Sequence, residues 1–136
     1  VNYQKVELGE PTAESEESFR VKRIVELARF NDICNGTVVD LGCGYGAYVS
    51  ALSPFVNKVI GIEVEENRLN KAIKINKDRF NVNFLLYDGK KIPLASESVD
   101  NVIMIEVLEH VNNDIETLLE IKRILKPGGG VTIICS

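Results

Sequence analysis

A nearly unbroken apolar run, Val102-Ile103-Met104-Ile105, sits inside residues 99–107, after a polar turn and loop over 88–98 and before a helix-like segment. A strand with one wet face alternates apolar and polar residues. A continuous run instead fits a strand covered on both faces, the habit of parallel sheets. Further β-branched or aromatic stretches at residues 37–41, 58–62, 82–87 and 131–135 are separated by helical spacing. Glu14, Glu16 and Glu17 precede Val21, Ile24, Val25 and Ala28 in a predicted helix that should stop near Asn35-Gly36. A short helix is predicted through residues 48–52, closed before Pro54. A longer one over 65–80 puts Leu69, Ala72, Ile73 and Phe80 on one face. The last, over 113–125, buries Ile115, Leu118, Leu119 and Ile121 or Leu125, and residues 1–12 read as a loose arm. This alternation predicts an α/β fold, a doubly wound and mostly parallel sheet with right-handed crossovers.

Composition narrows the class. A chain of 136 residues buries roughly two-thirds of its unfolded surface, enough for one domain over residues 1–136. With 45% hydrophobic residues, 4 prolines and 10 glycines it is neither disordered nor low in complexity. Sixteen basic against twenty acidic residues leave a net charge of −4, which disfavours nucleic acid phosphates and anionic membranes. Lys71, Lys74, Lys77 and Arg79 read as the solvated back of a helix, because no aromatics interleave to stack bases. No apolar run is long enough to span a membrane and residues 1–10 do not resemble a signal peptide, so the chain reads as soluble and cytoplasmic. Cys34, Cys43 and Cys135 are far apart, and a single histidine accompanies them. Neither a metal centre nor a disulfide framework is expected.

Doubly wound sheets bind ligands beyond the carboxyl ends of their strands. After the first predicted strand stands Asp40-Leu41-Gly42-Cys43-Gly44-Tyr45-Gly46, where alternate glycines permit a sharp turn and close approach of a ligand. After the second comes Glu63, twenty-one residues past Gly42, a spacing at which a carboxylate can accept both ribose hydroxyls; a solvated glutamate is the other reading. The third strand end supplies Asp88-Gly89, either an acceptor beside a backbone that can press on a flat base or the start of an Asx-turn. The fourth supplies Ile105-Glu106. The glycine pattern is GxGxG with Ala47 next, not the GxGxxG of dinucleotide folds, which weakens a reading as an NAD-dependent oxidoreductase.

Four stretches together resemble the class I S-adenosylmethionine-dependent methyltransferases. They are Val38 to Gly46, Val59-Ile60-Gly61-Ile62-Glu63, Asp100-Asn101-Val102-Ile103 on to Leu108-Glu109-His110-Val111, and Ile124-Leu125-Lys126-Pro127-Gly128-Gly129-Gly130. The resemblance covers about residues 20–135 and implies a Rossmann-like methyltransferase fold with S-adenosylmethionine as cofactor. It implies that Gly42, Gly44 and Gly46 face the methionine and ribose part, with Cys43 as compact filler in the same loop, and that Asp40 holds the amino-acid end. Glu63 would take the ribose hydroxyls, Asp88 and Gly89 the adenine, Val64 one side of the base, and Ile105 and Glu106 the methionine side. His110, beside Glu106 and Glu109, is the candidate base for a hydroxyl acceptor; its other role is to start the next helix. Tyr45 and Tyr48 either wall the site or pack.

The implied sheet has seven strands, whereas this sequence reaches only the fifth, residues 131–135, which would stand as an apolar edge. The expectation is a fragment of a longer enzyme acting on a small-molecule acceptor. The alternatives are pairing of that edge with a second copy or a partner chain, and a non-catalytic S-adenosylmethionine-binding subunit. The acceptor is not legible, since its recognition would come from the N-terminal arm, the helix around residues 19–30 and chain beyond Ser136.

Overall fold

The computed structural model describes residues 2–6, 16–30, 36–105, 107 and 114–134. In chain order the elements are β1 (Asn2–Val6), α1 (Glu16–Phe30), β2 (Thr37–Leu41), α2 (Ala47–Leu52) and β3 (Lys58–Glu63). They continue with α3 (Glu66–Ile75), β4 (Val82–Leu86), β5 (Val99–Ile105), α4 (Asp114–Ile124) and β6 (Leu125–Ile134). All pair parallel in one sheet of order β1-β6-β5-β2-β3-β4. The chain winds outward from β2 to β4, then crosses back to β5 and β6, so the winding reverses between β2 and β5. Ligands of such sheets bind at this switch point.

Successive strand residues explain why the apolar runs are unbroken. Val38, Val59, Ile103 and Ile105 join Ile24, Val49, Leu52 and Leu69 in the core under α1, α2 and α3. Their neighbours Val39, Ile60, Val102 and Met104 join Ile121 and Ile124 under α4 on the opposite face. Each fully buried aliphatic side chain contributes about 1.5–3 kcal/mol relative to exposure, so both faces need apolar residues.

Four expectations are corrected. Residues 2–6 are not part of a loose arm: they form β1, with Asn2 opposite Gly130 and Val6 opposite Ile134. The apolar strand expected to stand bare, β6, is therefore flanked on both sides, and among the described residues β1 adds a sixth strand ahead of the five expected. Helix α3 ends at Ile75 rather than at residue 80, because buried Asn76 turns its Nδ2 back to donate to the Ala72 carbonyl. Phe80 lies beyond it, fully exposed, and Ile73 is exposed as well. On α4 the burial falls on Ile121 and Ile124, followed by Leu125, while Ile115 and Leu119 face solvent. Gly36 serves a close approach: a Cβ there would lie 2.8 Å from Asp100, whose Oδ2 accepts from the Thr37 amide at 2.8 Å. Among the described residues no helix is long and apolar enough to cross a membrane, and no cluster of three or more His, Cys, Asp or Glu could hold a metal.

Candidate functional site

The turn after β2 is folded back onto the end of β3. The amides of Gly42 and Cys43 both donate to the Ile62 carbonyl, at 2.7 and 3.0 Å. Gly42, Gly44 and Gly46 all have left-handed backbones, with φ of 79°, 56° and 84°, a region where a Cβ is strained. Their surroundings differ. A Cβ on Gly42 would lie 2.5 Å from Val107, and one on Gly46 would meet Asn76 and Ala72 at 3.1 and 3.2 Å. Among the described residues, Gly44 alone of the three faces open space. Two of the three are thus demanded by the protein's own packing, and one leaves room for a ligand.

Two carboxylates stand behind this turn. Asp40, inside β2, is buried, and among the described residues its Oδ2 has no hydrogen-bond partner. Burial, reinforced by the charge of Glu63, pushes its pKa up to about 7. Glu63, at the end of β3, is also buried, and its carboxylate accepts three backbone amides. Gly44 donates to Oε1 at 3.0 Å, and Val64 and Glu65 each donate to Oε2 at 2.9 Å. The exposed-glutamate reading is therefore wrong: Glu63 fastens the glycine turn to β3. A carboxylate offers about four acceptor positions, so one remains.

Cys43 is buried, and a Cβ on Gly61 would approach its Sγ to 3.0 Å. Burial, then the charges of Asp40 and Glu63, raise its thiol far above the ordinary range, which suppresses the thiolate and suits filler rather than a nucleophile. Tyr45 projects outward with the Lys71 ammonium 5.4 Å from its ring centre, whereas Tyr48 packs against the core.

Beyond β4, Asp88 makes the Asx-turn: Lys90 and Lys91 donate their amides to Oδ1 at 2.8 and 3.0 Å. Those two bonds hold its carboxyl below the usual range. Gly89 has a φ of 83°, and a Cβ there would lie 3.9 Å from exposed Val64, so β3 and β4 bring these two residues side by side. Ile105 ends β5 inside the core under α1 to α3. Glu106 and His110 lie outside the described residues.

Sequence reasoning missed Val107, which presses on Gly42, and Asn76, which presses on Gly46 and takes a hydrogen bond on Oδ1 from Ser50 Oγ at 2.8 Å. Each is a long-range contact without a local pattern to announce it.

A family profile described as a methyltransferase domain matches residues 39–133. A demethylmenaquinone methyltransferase of Lactococcus lactis is 33% identical over 117 residues, covering 82% of this chain and 46% of that protein. A ubiquinone biosynthesis O-methyltransferase of Dinoroseobacter shibae is 29% identical over 100 residues, 73% of this chain and 40% of that one. The crystal structure of an S-adenosylmethionine-dependent methyltransferase from Aquifex aeolicus superposes with a TM-score of 0.72 at 27% identity, covering 84% of this chain and 69% of that one. The chain spans less than half the length of the curated relatives it matches.

Proposed function

Because this chain belongs to the class I S-adenosylmethionine-dependent methyltransferases, we propose that it forms the cofactor side of a site that methylates an oxygen, nitrogen or carbon of a small-molecule acceptor. The observation that carries the reading is Asp40, a buried carboxyl with an oxygen unpartnered among the described residues, beside a Glu63 that holds the amide of Gly44, which those residues leave open-faced. Such a set is rich in acceptors and short of donors, and fits a ligand that brings an ammonium and hydroxyl hydrogens of its own.

Asp40 would hold the amino end, the fourth acceptor position of Glu63 the ribose, and Oδ2 of Asp88 the adenine amino group. Gly89 and Val64 would flank the base, while Gly42, Cys43, Gly44, Gly46, Ile105 and Glu106 would form the remaining wall. When bound, S-adenosylmethionine supplies a methyl group already activated by its sulfonium leaving group. The protein's residues then have only to orient the pair and keep water out. An ammonium beside Asp40 favours its carboxylate, so binding near neutral pH should release a proton from this residue. Where the acceptor is a hydroxyl, His110 is the proposed base. Relatives named for quinone biosynthesis, together with the net charge of −4, support a small acceptor rather than a nucleic acid.

Calorimetric titration with S-adenosylmethionine, S-adenosylhomocysteine and NAD tests this reading on the chain itself, on Glu63→Ala and on Asp88→Ala. Both adenosyl ligands should bind, NAD should not, and each substitution should weaken binding about tenfold or more, the worth of one good hydrogen bond to a charged group. Binding of NAD in preference, or adenosyl binding indifferent to both substitutions, refutes it.

A further inference from the structure

On α4, away from the strand-end carboxylates, Glu120 and Arg123 form a bidentate pair, with Nε 2.6 Å from Oε2 and Nη2 3.0 Å from Oε1. An exposed pair commonly adds little, but this one is half-buried and has further work. Glu120 Oε1 accepts the Ile92 amide at 2.8 Å, while Arg123 Nη2 donates to the Ile92 carbonyl and Nη1 to the Leu94 carbonyl, both at 2.8 Å. Both polar groups of one loop residue are thus gripped by side chains of a helix, as a neighbouring strand would grip them. The Ile92 side chain is buried in the core beneath α4. Further along, Glu97 and Ser98 donate their amides to the Arg123 and Ile124 carbonyls, each at 2.8 Å, so the loop is tied to α4 again at its far end.

The near end of this loop is Asp88. Three consecutive amides, those of Lys90, Lys91 and Ile92, donate to carboxylates, the first two to Asp88 and the third to Glu120. Releasing Ile92 frees the peptide that adjoins the Lys91 amide, and the Asx-turn that aims the Asp88 carboxylate loses its anchor. We propose that Glu120 and Arg123 are positioning residues for base recognition: from α4 they set the orientation of Asp88 without touching the ligand. This rests on the reading of Asp88 as acceptor for the adenine amino group.

The test compares S-adenosylhomocysteine with S-inosylhomocysteine, whose base carries an oxo group where adenine has its amino group. Each is titrated into the chain, Asp88→Ala, Arg123→Gln, Glu120→Gln and Arg123→Lys, with thermal unfolding recorded alongside. The starting chain should prefer the adenosyl ligand by about tenfold, and Asp88→Ala should abolish that preference. Arg123→Gln and Glu120→Gln should cut the preference to about threefold or less, with a smaller effect on the inosyl ligand. Arg123→Lys should fall with them, since an ammonium cannot span two carbonyls and a carboxylate at once. Combining Arg123→Gln with Asp88→Ala should cost no further selectivity.

A bracket that merely stabilises the fold would lower the melting temperature and weaken both ligands alike, leaving the ratio intact; that result overturns the proposal. If Arg123→Gln does not fold, the ratio in Glu120→Gln decides by the same criterion. A starting chain that binds both ligands equally overturns the reading of Asp88, and the proposal with it. A preference abolished by Asp88→Ala but kept by the bracket variants overturns the proposal alone.

Discussion

The glycine turn after β2 and the loop after β4 flank the same candidate site, yet they are held by opposite means. The first is fixed from inside by left-handed glycines under Val107 and Asn76 and by a buried carboxylate that accepts three amides. The second has one side chain, Ile92, in the core, and the rest is held by an Asx-turn on an exposed aspartate and by a half-buried charged pair on a helix. A turn built on packing fails by steric conflict and buried charge, and solvent does little to relieve either. A loop built on surface hydrogen bonds can shift by small amounts, which suits fine adjustment of what it recognises.

Breaking the inner turn should have the largest effect. Gly42→Ala puts a Cβ 2.5 Å from Val107 at a φ of 79°. Overpacking and backbone strain together should cost about 4 kcal/mol and abolish adenosyl-ligand binding. Urea denaturation and titration of the variant check both, and a loss below about 1 kcal/mol would mean that Val107 yields easily.

Next comes the buried charge. The folded Asp40 keeps its proton to about pH 7, whereas the unfolded carboxyl releases it near 3.8, so the folded state binds the extra proton between those values. Stability of the ligand-free protein should therefore fall as pH rises through that window and level off above it. Asp40→Asn should remove this fall, roughly 3 kcal/mol from about pH 5 to about pH 8. Urea midpoints of both proteins across that range test it; parallel curves would count against a protonated Asp40.

The smallest effect on stability should come from Gly44→Ala, where a Cβ meets nothing within 4 Å among the described residues and only the φ of 56° is unfavourable. About 1 kcal/mol of stability should be lost. Ligand affinity should drop far more, because the added methyl group occupies the one open face in the turn. An equal loss in both measurements would erase the distinction drawn between Gly44 and its two neighbours.

Much of the fold was legible because the signals were local. Val102 to Ile105 announces a strand covered twice, and Thr37–Leu41 emerges with the expected bounds. What was not legible depended on distant partners. The stretch Asn2–Val6 has no apolar alternation and becomes a strand because β6 offers it an edge. Helical spacing alone carried α3 through to Phe80, although the Asn76 side chain ends it first. At the site the glycines and acids were readable as types, but not in their division of labour. Gly42 and Gly46 answer to packing, Glu63 fastens a turn, and nothing near Glu120 or Arg123 in the sequence points to Ile92.

The pairing of β1 with β6 also bears on how the molecule assembles. Asn2 lies beside Gly130 and Val6 beside Ile134, so β1 finds its partner across all the other described elements. Closing so long a loop carries a greater entropic cost than joining neighbours such as β3 and β4. The sheet should therefore grow from β2, β3 and β4 and gain β1 last, making this edge the slowest to form and the first whose amides exchange with solvent.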